Sequence, residues 1–490
     1  MSAGLSRLFR VGYPAALAAF IAVLVAGALF PGPAEAHGLV GRGDLPLPDW
    51  LLAWGAALLL IGSFAGLVVL WQRPLLEGDH WRPSSAILTG AILNPVTQTV
   101  LGILSVALLV LTIYTGLVGT EAPDRNFSVT FVFVTFWLGL VVLSVLFGNV
   151  FRALSPWRAI GNGVSKLFTL VAGQSAPAPL TYPDRLGRWP AVAGLVGFLW
   201  FELAWNPGTS VPPGDVAVAT IIYSAITFVG MALFGVDRWN ERGETFSVYF
   251  GMFASLSVFE VRDGRIGRRR IFEGAGRWTG GISGSLALVL VAIGGTTFDG
   301  AQEGAIKSTI SSTFETFSDA GLSALEALRI TNTLYLAATL LVVFGIFWAG
   351  IQGMRVVSHR YSARVLGNRF AHAFIPIALA YLVAHYFSLV VFQEQAQFTY
   401  LLSDPLGDGS NVFGTAGSAI DYGAVGATAV QWVQFGSIVA GHALALALGH
   451  DRALKLFGNT RDASWSQAVM LVVMLVFSLM GLYLLSQANG

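Results

Sequence analysis

The sequence predicts an all-α, polytopic integral membrane bundle of about ten transmembrane helices behind an N-terminal leader. Three observations carry that prediction. The first is composition: of 490 residues, 55% are hydrophobic and only 11% charged, where soluble domains carry about 25% charged residues. A water-soluble fold would have to bury more apolar side chain than its surface-to-volume ratio permits, and lipid as solvent removes that difficulty. The second is a recurrence of apolar segments of spanning length. The third is a strong sidedness of Lys and Arg.

The leader comes first. Arg7 and Arg10 precede an apolar run from about Gly12 to Phe30, followed by Pro31-Gly32-Pro33 and Ala34-Glu35-Ala36. A basic start, an apolar stretch and an A-x-A site make a secretory signal, with an uncleaved first helix as the alternative. Cleavage after Ala36 would leave His37 at the N-terminus. An N-terminal histidine offers its α-amine and a ring nitrogen to a metal, best to Cu(II); the plain alternative is that His37 is only the residue that follows the cleavage site.

A spanning helix needs about 20 mainly apolar residues. Candidates fall near 50–71, 97–118, 128–148, 190–207, 216–236, 280–298, 333–353, 370–392, 427–448 and 466–486, within one transmembrane domain covering 37–490. Trp50, Trp71 and Trp189 stand at span ends, where the amphipathic indole suits the headgroup level. With the mature N-terminus outside, the external loops hold only Arg42, Arg125, Lys307 and Arg329. The other 24 of the 28 Lys and Arg residues then face the cytoplasm, as the positive-inside rule requires. The location this implies is a bacterial cytoplasmic membrane, with the lipid bilayer as the constant partner.

The loops differ in kind. Residues 149–188 and 237–278 form long basic cytoplasmic loops, and FRALSPWRAIGNGVSKLF and FSVYFGMFASLSVF within them read as interfacial helices at the headgroups. Arg262, Arg265, Arg268, Arg269, Arg270 and Arg277 share the second loop; they either anchor topology or bind anionic lipid. External loop 299–332 reads as a short amphipathic helix, and 393–426 is Gly- and Asp-rich. No internal repeat supports a transporter built from duplicated halves.

Several function classes drop out. The chain has no cysteine, which removes disulfides, thiolate metal sites, Fe–S clusters and cysteine nucleophiles. No G-x-S-x-G elbow, H-E-x-x-H helix, Walker A loop or G-x-G-x-x-G fingerprint is present. Nothing points to nucleic acid.

Ionisable groups at membrane depth are costly, so each one invites a functional reading. Glu202 sits in FLWFELAW, Asp299 in TTFDG, His372 and His385 in AHAFIPIALAYLVAHYF, and His442 in VAGHALAL. At about 1.5 Å per residue, His385 lies ~22 Å and Glu202 ~18 Å from the cytoplasmic ends of their spans. Both belong to the outer half, and Asp299 faces the same side. His372 and His442 belong to the inner half. His372 and His385 are turned by about 220° around a regular helix, and Pro376 between them can bend it. The sequence therefore proposes an outer cluster of Glu202, Asp299 and His385, open to His37. One histidine and two carboxylates suit a divalent ion with a bound water, Zn or, with His37, Cu. The inner pair His372 and His442 suits haem ligation or proton shuttling. Against both stands structural hydrogen bonding between helices, with Glu202 protonated or snorkelling.

FGNVFRALSPWRAIG, TFSVYFGMFASLSVFEVRDGR, TTFDG, AHAFIPIALAYLVAHYFSLVVFQEQ and GHALALALGHDRAL together resemble a family of polytopic bacterial membrane proteins, common in actinobacteria, that bears the label fenitrothion hydrolase. The likeness runs nearly the whole chain, from His37 to the last helix. It implies cleavage of an organophosphorus triester, and it carries no catalytic residues across. Three functions follow: a hydrolase whose metal-activated water attacks an apolar ester in the outer half of the bilayer, with Glu202, Asp299 and His385 as ligands or base; a protein that captures copper or zinc and passes it inward; or a non-catalytic subunit of a complex.

Overall fold

The computed structural model describes residues 49–173, 178–206, 210–357 and 359–488. The leader and His37 lie outside the described residues. The fold is an all-α membrane bundle, and eight of its helices are long and apolar enough to cross a bilayer. The principal helices are α1 (Asp49–Leu70), α2 (Ala86–Leu93), α3 (Pro95–Val118), α4 (Phe127–Phe147), α5 (Pro156–Ala172), α6 (Trp189–Leu203) and α7 (Pro213–Phe234). They continue with α8 (Thr245–Ala254), α9 (Ser285–Gln302), α10 (Lys307–Asp319), α11 (Ala324–Val357), α12 (Ala363–Phe370), α13 (Ile375–Phe398), α14 (Ala427–Phe457) and α15 (Thr460–Ala488). Each predicted span is represented by a helix. Two of them, Trp54–Leu70 within α1 and Trp189–Leu203, are shorter as apolar segments than the eight.

The loops expected to share a side do meet. At the basic end, strands β1 (Arg82–Pro83), β2 (Phe259–Arg262) and β3 (Arg265–Arg268) form an antiparallel sheet in the order β1-β3-β2. At the opposite end, Thr120 and Phe127 donate their backbone N–H groups to Leu406 and Pro405, and Arg329 donates to the Trp205 carbonyl at 2.5 Å. The sheet is absent from the sequence expectations, though its signal is present. Asp263-Gly264 is a two-residue hairpin loop with φ of 47° and 71°, the Asp-Gly pair that a type I′ turn demands. Arg262 holds the Asp79 carboxyl below the usual carboxylate range through a hydrogen bond and its charge, which ties the hairpin to the segment before β1.

Helix α8 departs from the interfacial reading. Eight of its ten residues are buried, and Phe246, Tyr249, Phe250 and Phe253 enter an aromatic core with Phe136, Trp137, Phe151, Trp157 and Phe198. The physical reason is that TFSVYFGMFA is apolar on every side, and such a helix is stable only when surrounded. Its N-terminus is held by Glu244, whose carboxylate accepts from the N–H groups of Phe246 and Ser247 and from the Tyr223 hydroxyl. Helix α5 is divided instead. Pro156 and Trp157 are buried, with Trp157 Nε1 donating to Ser224 Oγ at 2.8 Å, while Val164, Leu167, Leu170 and Val171 are exposed.

Gly194 lets α8 approach α6. A Cβ there would stand 2.0 Å from Thr245 Oγ1, so one of the two helices would have to shift. We expect Gly194→Ala to cost about 1–3 kcal/mol by overpacking, read as a lower unfolding midpoint in detergent. An unchanged midpoint would show that α8 is not locked against α6.

Candidate functional site

Helix α9 runs between α6 and α13, and close packing sets its register. A Cβ on Gly295 would lie 2.5 Å from Leu199 Cδ1, so the Leu199 side chain of α6 packs directly onto the α9 backbone there. One turn further along each helix stand Glu202 and Asp299, and the two acids lie within electrostatic reach of each other. On the other side of α9, Gly300 faces the His385 ring, whose Nδ1 would be 3.6 Å from a Cβ at that position, an ordinary contact. The packing of glycines on α9 against a leucine and an imidazole thus brings three distant sequence segments to one place.

The Asp299 carboxylate is the centre. His385 Nε2 lies 2.8 Å from Oδ2, the Tyr386 hydroxyl donates to the same oxygen at 2.6 Å, and Gln302 Nε2 donates to Oδ1 at 2.8 Å. With Nε2 turned to the carboxylate, the other ring nitrogen of His385 is left toward a crevice of about 30 Å³ that is lined by Thr296, Thr297, Tyr381 and Gly481 among others. That is about the volume one water occupies. Glu202 Oε2 is buried without a hydrogen-bond partner, and its charge also reaches Tyr249 and Tyr386. The group comprises two carboxyls, an imidazole and two phenols, in a part of the molecule otherwise packed with apolar side chains.

Among the described residues no three His, Asp or Glu side chains form a group that could hold a metal ion. The reason lies in how the donors are spent. Nε2 of His385 and both oxygens of Asp299 are engaged with one another, Tyr386 and Gln302, which leaves no open set of three converging on one point.

The inner histidines are not brought together. His372 sits in the 3-10 turn Ala371–Phe374 that joins α12 to α13, near Arg452 and Gly276. Pro376 stands in the first turn of the new helix, where its missing N–H costs nothing. His442 is fully buried, its Nδ1 is 2.8 Å from its own helix carbonyl at Ile438, and its Nε2 has no partner. Its ring lies 6.0 Å from that of Tyr381, nine residues and about 13 Å along the chain from His372. The two imidazoles thus have different neighbours, Tyr381 for His442 and Arg452 for His372.

Sequence reasoning misses three members, Tyr386, Gln302 and Tyr249, and a separate acid, Glu394. Tyr386 is next to His385 and Gln302 is one helical turn after Asp299, so a search for donors at neighbouring and i+3 positions finds both. Tyr249 is hidden by the interfacial reading of its helix. Glu394 falls in a loop when the span is ended at 392; it lies on α13, accepting from Thr135 Oγ1 at 2.9 Å. Thr135 belongs to a nine-residue π-helical stretch, Phe131–Gly139, within α4, an irregularity frequent at functional sites.

Comparison with family models, curated proteins and solved structures finds no match for this chain.

Proposed function

We propose that this membrane protein works by accepting and passing protons at the Glu202–Asp299–His385 cluster, with the basic end in the cytoplasm and the cluster in the outer half of the bilayer. The observation that carries the reading is the Asp299 carboxylate held by His385 and Tyr386 beside the partner-free oxygen of Glu202. Chains of Asp, Glu and His inside spans are the usual parts of proton relays. The free His385 nitrogen faces a space of one water, which suits proton exchange and is too small for a phosphotriester. In proteoliposomes carrying an imposed pH gradient and an entrapped pH-sensitive dye, the wild-type chain is expected to speed proton entry over empty vesicles. Glu202→Gln should lower that rate by about a hundredfold, the lower end of the range for one positioned proton-transfer group. A wild-type rate equal to that of empty vesicles would sink the proposal.

A second reading rests on the same dyad and on the resemblance to the fenitrothion hydrolase family. A carboxylate that orients an imidazole is the arrangement of a general base, and His385 could activate a water in the crevice toward an ester that enters from lipid once the helices part. Release of nitrophenol from a nitrophenyl phosphotriester, in the same vesicles without a gradient, separates the readings. Turnover without proton flux favours the hydrolase, and flux without turnover favours the relay.

A further inference from the structure

At the basic end, far from the Asp299 cluster, a cavity of about 600 Å³ opens between β1, β3 and the start of α2. Arg82, Arg268 and Arg270 line it with His80 and Ser84. The register places Arg82 directly opposite Arg268 on the β1–β3 pair, and like charges in that relation destabilise a sheet. Nearby cations are treated differently: Arg262, Arg269 and Arg277 are paired with Asp79 or Glu260. No carboxylate comparably offsets Arg82 or Arg268 among the described residues; the Arg270 guanidinium reaches the Leu75 carbonyl at 3.3 Å, and the Glu273 carboxylate accepts from the Arg270 backbone N–H and lies 2.8 Å from His80 Nδ1. Ser84 Oγ is buried and has no partner, although its backbone is fixed to the sheet through Ile266. The cavity is thus a cationic cup built on the sheet.

What adjoins the cup identifies its occupant. Helix α2 has no buried residue, and Ile87 and Ile92 are exposed at 84% and 40%. The exposed apolar surface continues onto the first turns of α3 through Val96 and Val100, and α3 is one of the spanning helices. An anion here therefore sits at the foot of a lipid-facing wall. We propose that the cavity binds the phosphate of an anionic phospholipid whose acyl chains lie along Ile87, Ile92, Val96 and Val100. The arginine pair supplies the charge and the wall the hydrophobic contact. The site is independent of the proton chemistry proposed for Asp299.

Native mass spectrometry of the detergent-purified full chain, titrated with phosphatidylglycerol or phosphatidylcholine, tests this. Phosphatidylglycerol should be retained at about tenfold lower concentration, since each cation near an anionic headgroup adds appreciable affinity. Arg82→Gln with Arg268→Gln should erase the preference, while Arg265→Gln at the hairpin turn should keep it. Should the double variant fail to fold, Arg82→Gln alone and the headgroup preference of the wild type carry the test. Equal retention of the two lipids by the wild type, or an undiminished preference in a folded variant, overturns the proposal. Displacement of phosphatidylglycerol by millimolar inorganic phosphate overturns the lipid assignment and makes the occupant a soluble anion.

Discussion

Asp299→Asn is expected to lower proton flux by about a hundredfold or more, the scale on which positioned proton-transfer groups act. The carboxylate accepts three hydrogen bonds, two on Oδ2 from the directions of His385 and Tyr386 and one on Oδ1 from Gln302. An amide has one acceptor oxygen and one donor nitrogen. Whichever way the substituted amide turns, its NH₂ must face either the Gln302 amide or the His385 and Tyr386 pair. One existing donor loses its acceptor, at a cost of about 1–3 kcal/mol for a buried group. The variant also removes the carboxylate oxygen that holds His385 Nε2 at 2.8 Å, so the geometry for proton passage is lost with it. The measurement is the entrapped-dye assay on Asp299→Asn beside wild type, with unfolding midpoints recorded for both. A folded variant that conducts at the wild-type rate would remove Asp299 from the function.

The same variant bears on the hydrolase reading, because an Asp–His dyad acting as general base would lose turnover by a similar factor. His385→Ala separates position from charge. It deletes the base but leaves Asp299 with Tyr386 and Gln302, so either activity should fall while the midpoint moves little. A scaffold subunit predicts the reverse pattern: a lower midpoint for Asp299→Asn and no activity to lose.

The placement of Asp299, Glu202 and His385 at one level is legible in the sequence, because residue count converts to depth through a fixed helical rise. Their convergence is not. It depends on how α6, α9 and α13 pack, with Leu199 seated on Gly295, and nothing in a single sequence says which helix each glycine faces. Helix α8 escapes for another reason. Its basic neighbours suggest a headgroup position, yet the helix itself has no polar face to present there, and that fact outweighs the flanks. The hairpin at Asp263-Gly264 is overlooked because a span-length search passes over four-residue strands. Glu394 is lost to a boundary drawn six residues before the end of α13.

The largest stability effect is expected from Asp451→Ala. Asp451 is almost fully buried and takes three donors: Trp71 Nε1 at 2.9 Å, Leu75 N at 2.5 Å and Leu76 N at 3.0 Å. Its neighbours on α14 grip the same segment. His450 Nε2 lies 2.9 Å from the Trp71 carbonyl, Arg452 pairs with Glu77, and Lys455 reaches Glu77 at 3.1 Å. The stretch GHDRAL is thus a clip that fastens the exit of α1 to the end of α14. Alanine leaves three donors without an acceptor, the Trp71 indole among them at a buried position, and each buried donor left unsatisfied costs about 1–3 kcal/mol. Asp451→Asn keeps one acceptor oxygen and should lose about half as much. Unfolding midpoints in detergent check both, and limited proteolysis should cut within residues 71–85 of the alanine variant first. Because the clip stands at the basic end, proton flux per folded molecule should remain at the wild-type level. A midpoint for Asp451→Ala within about 2 °C of wild type would mean that water replaces the carboxylate, and that the clip is not what holds α1 to α14.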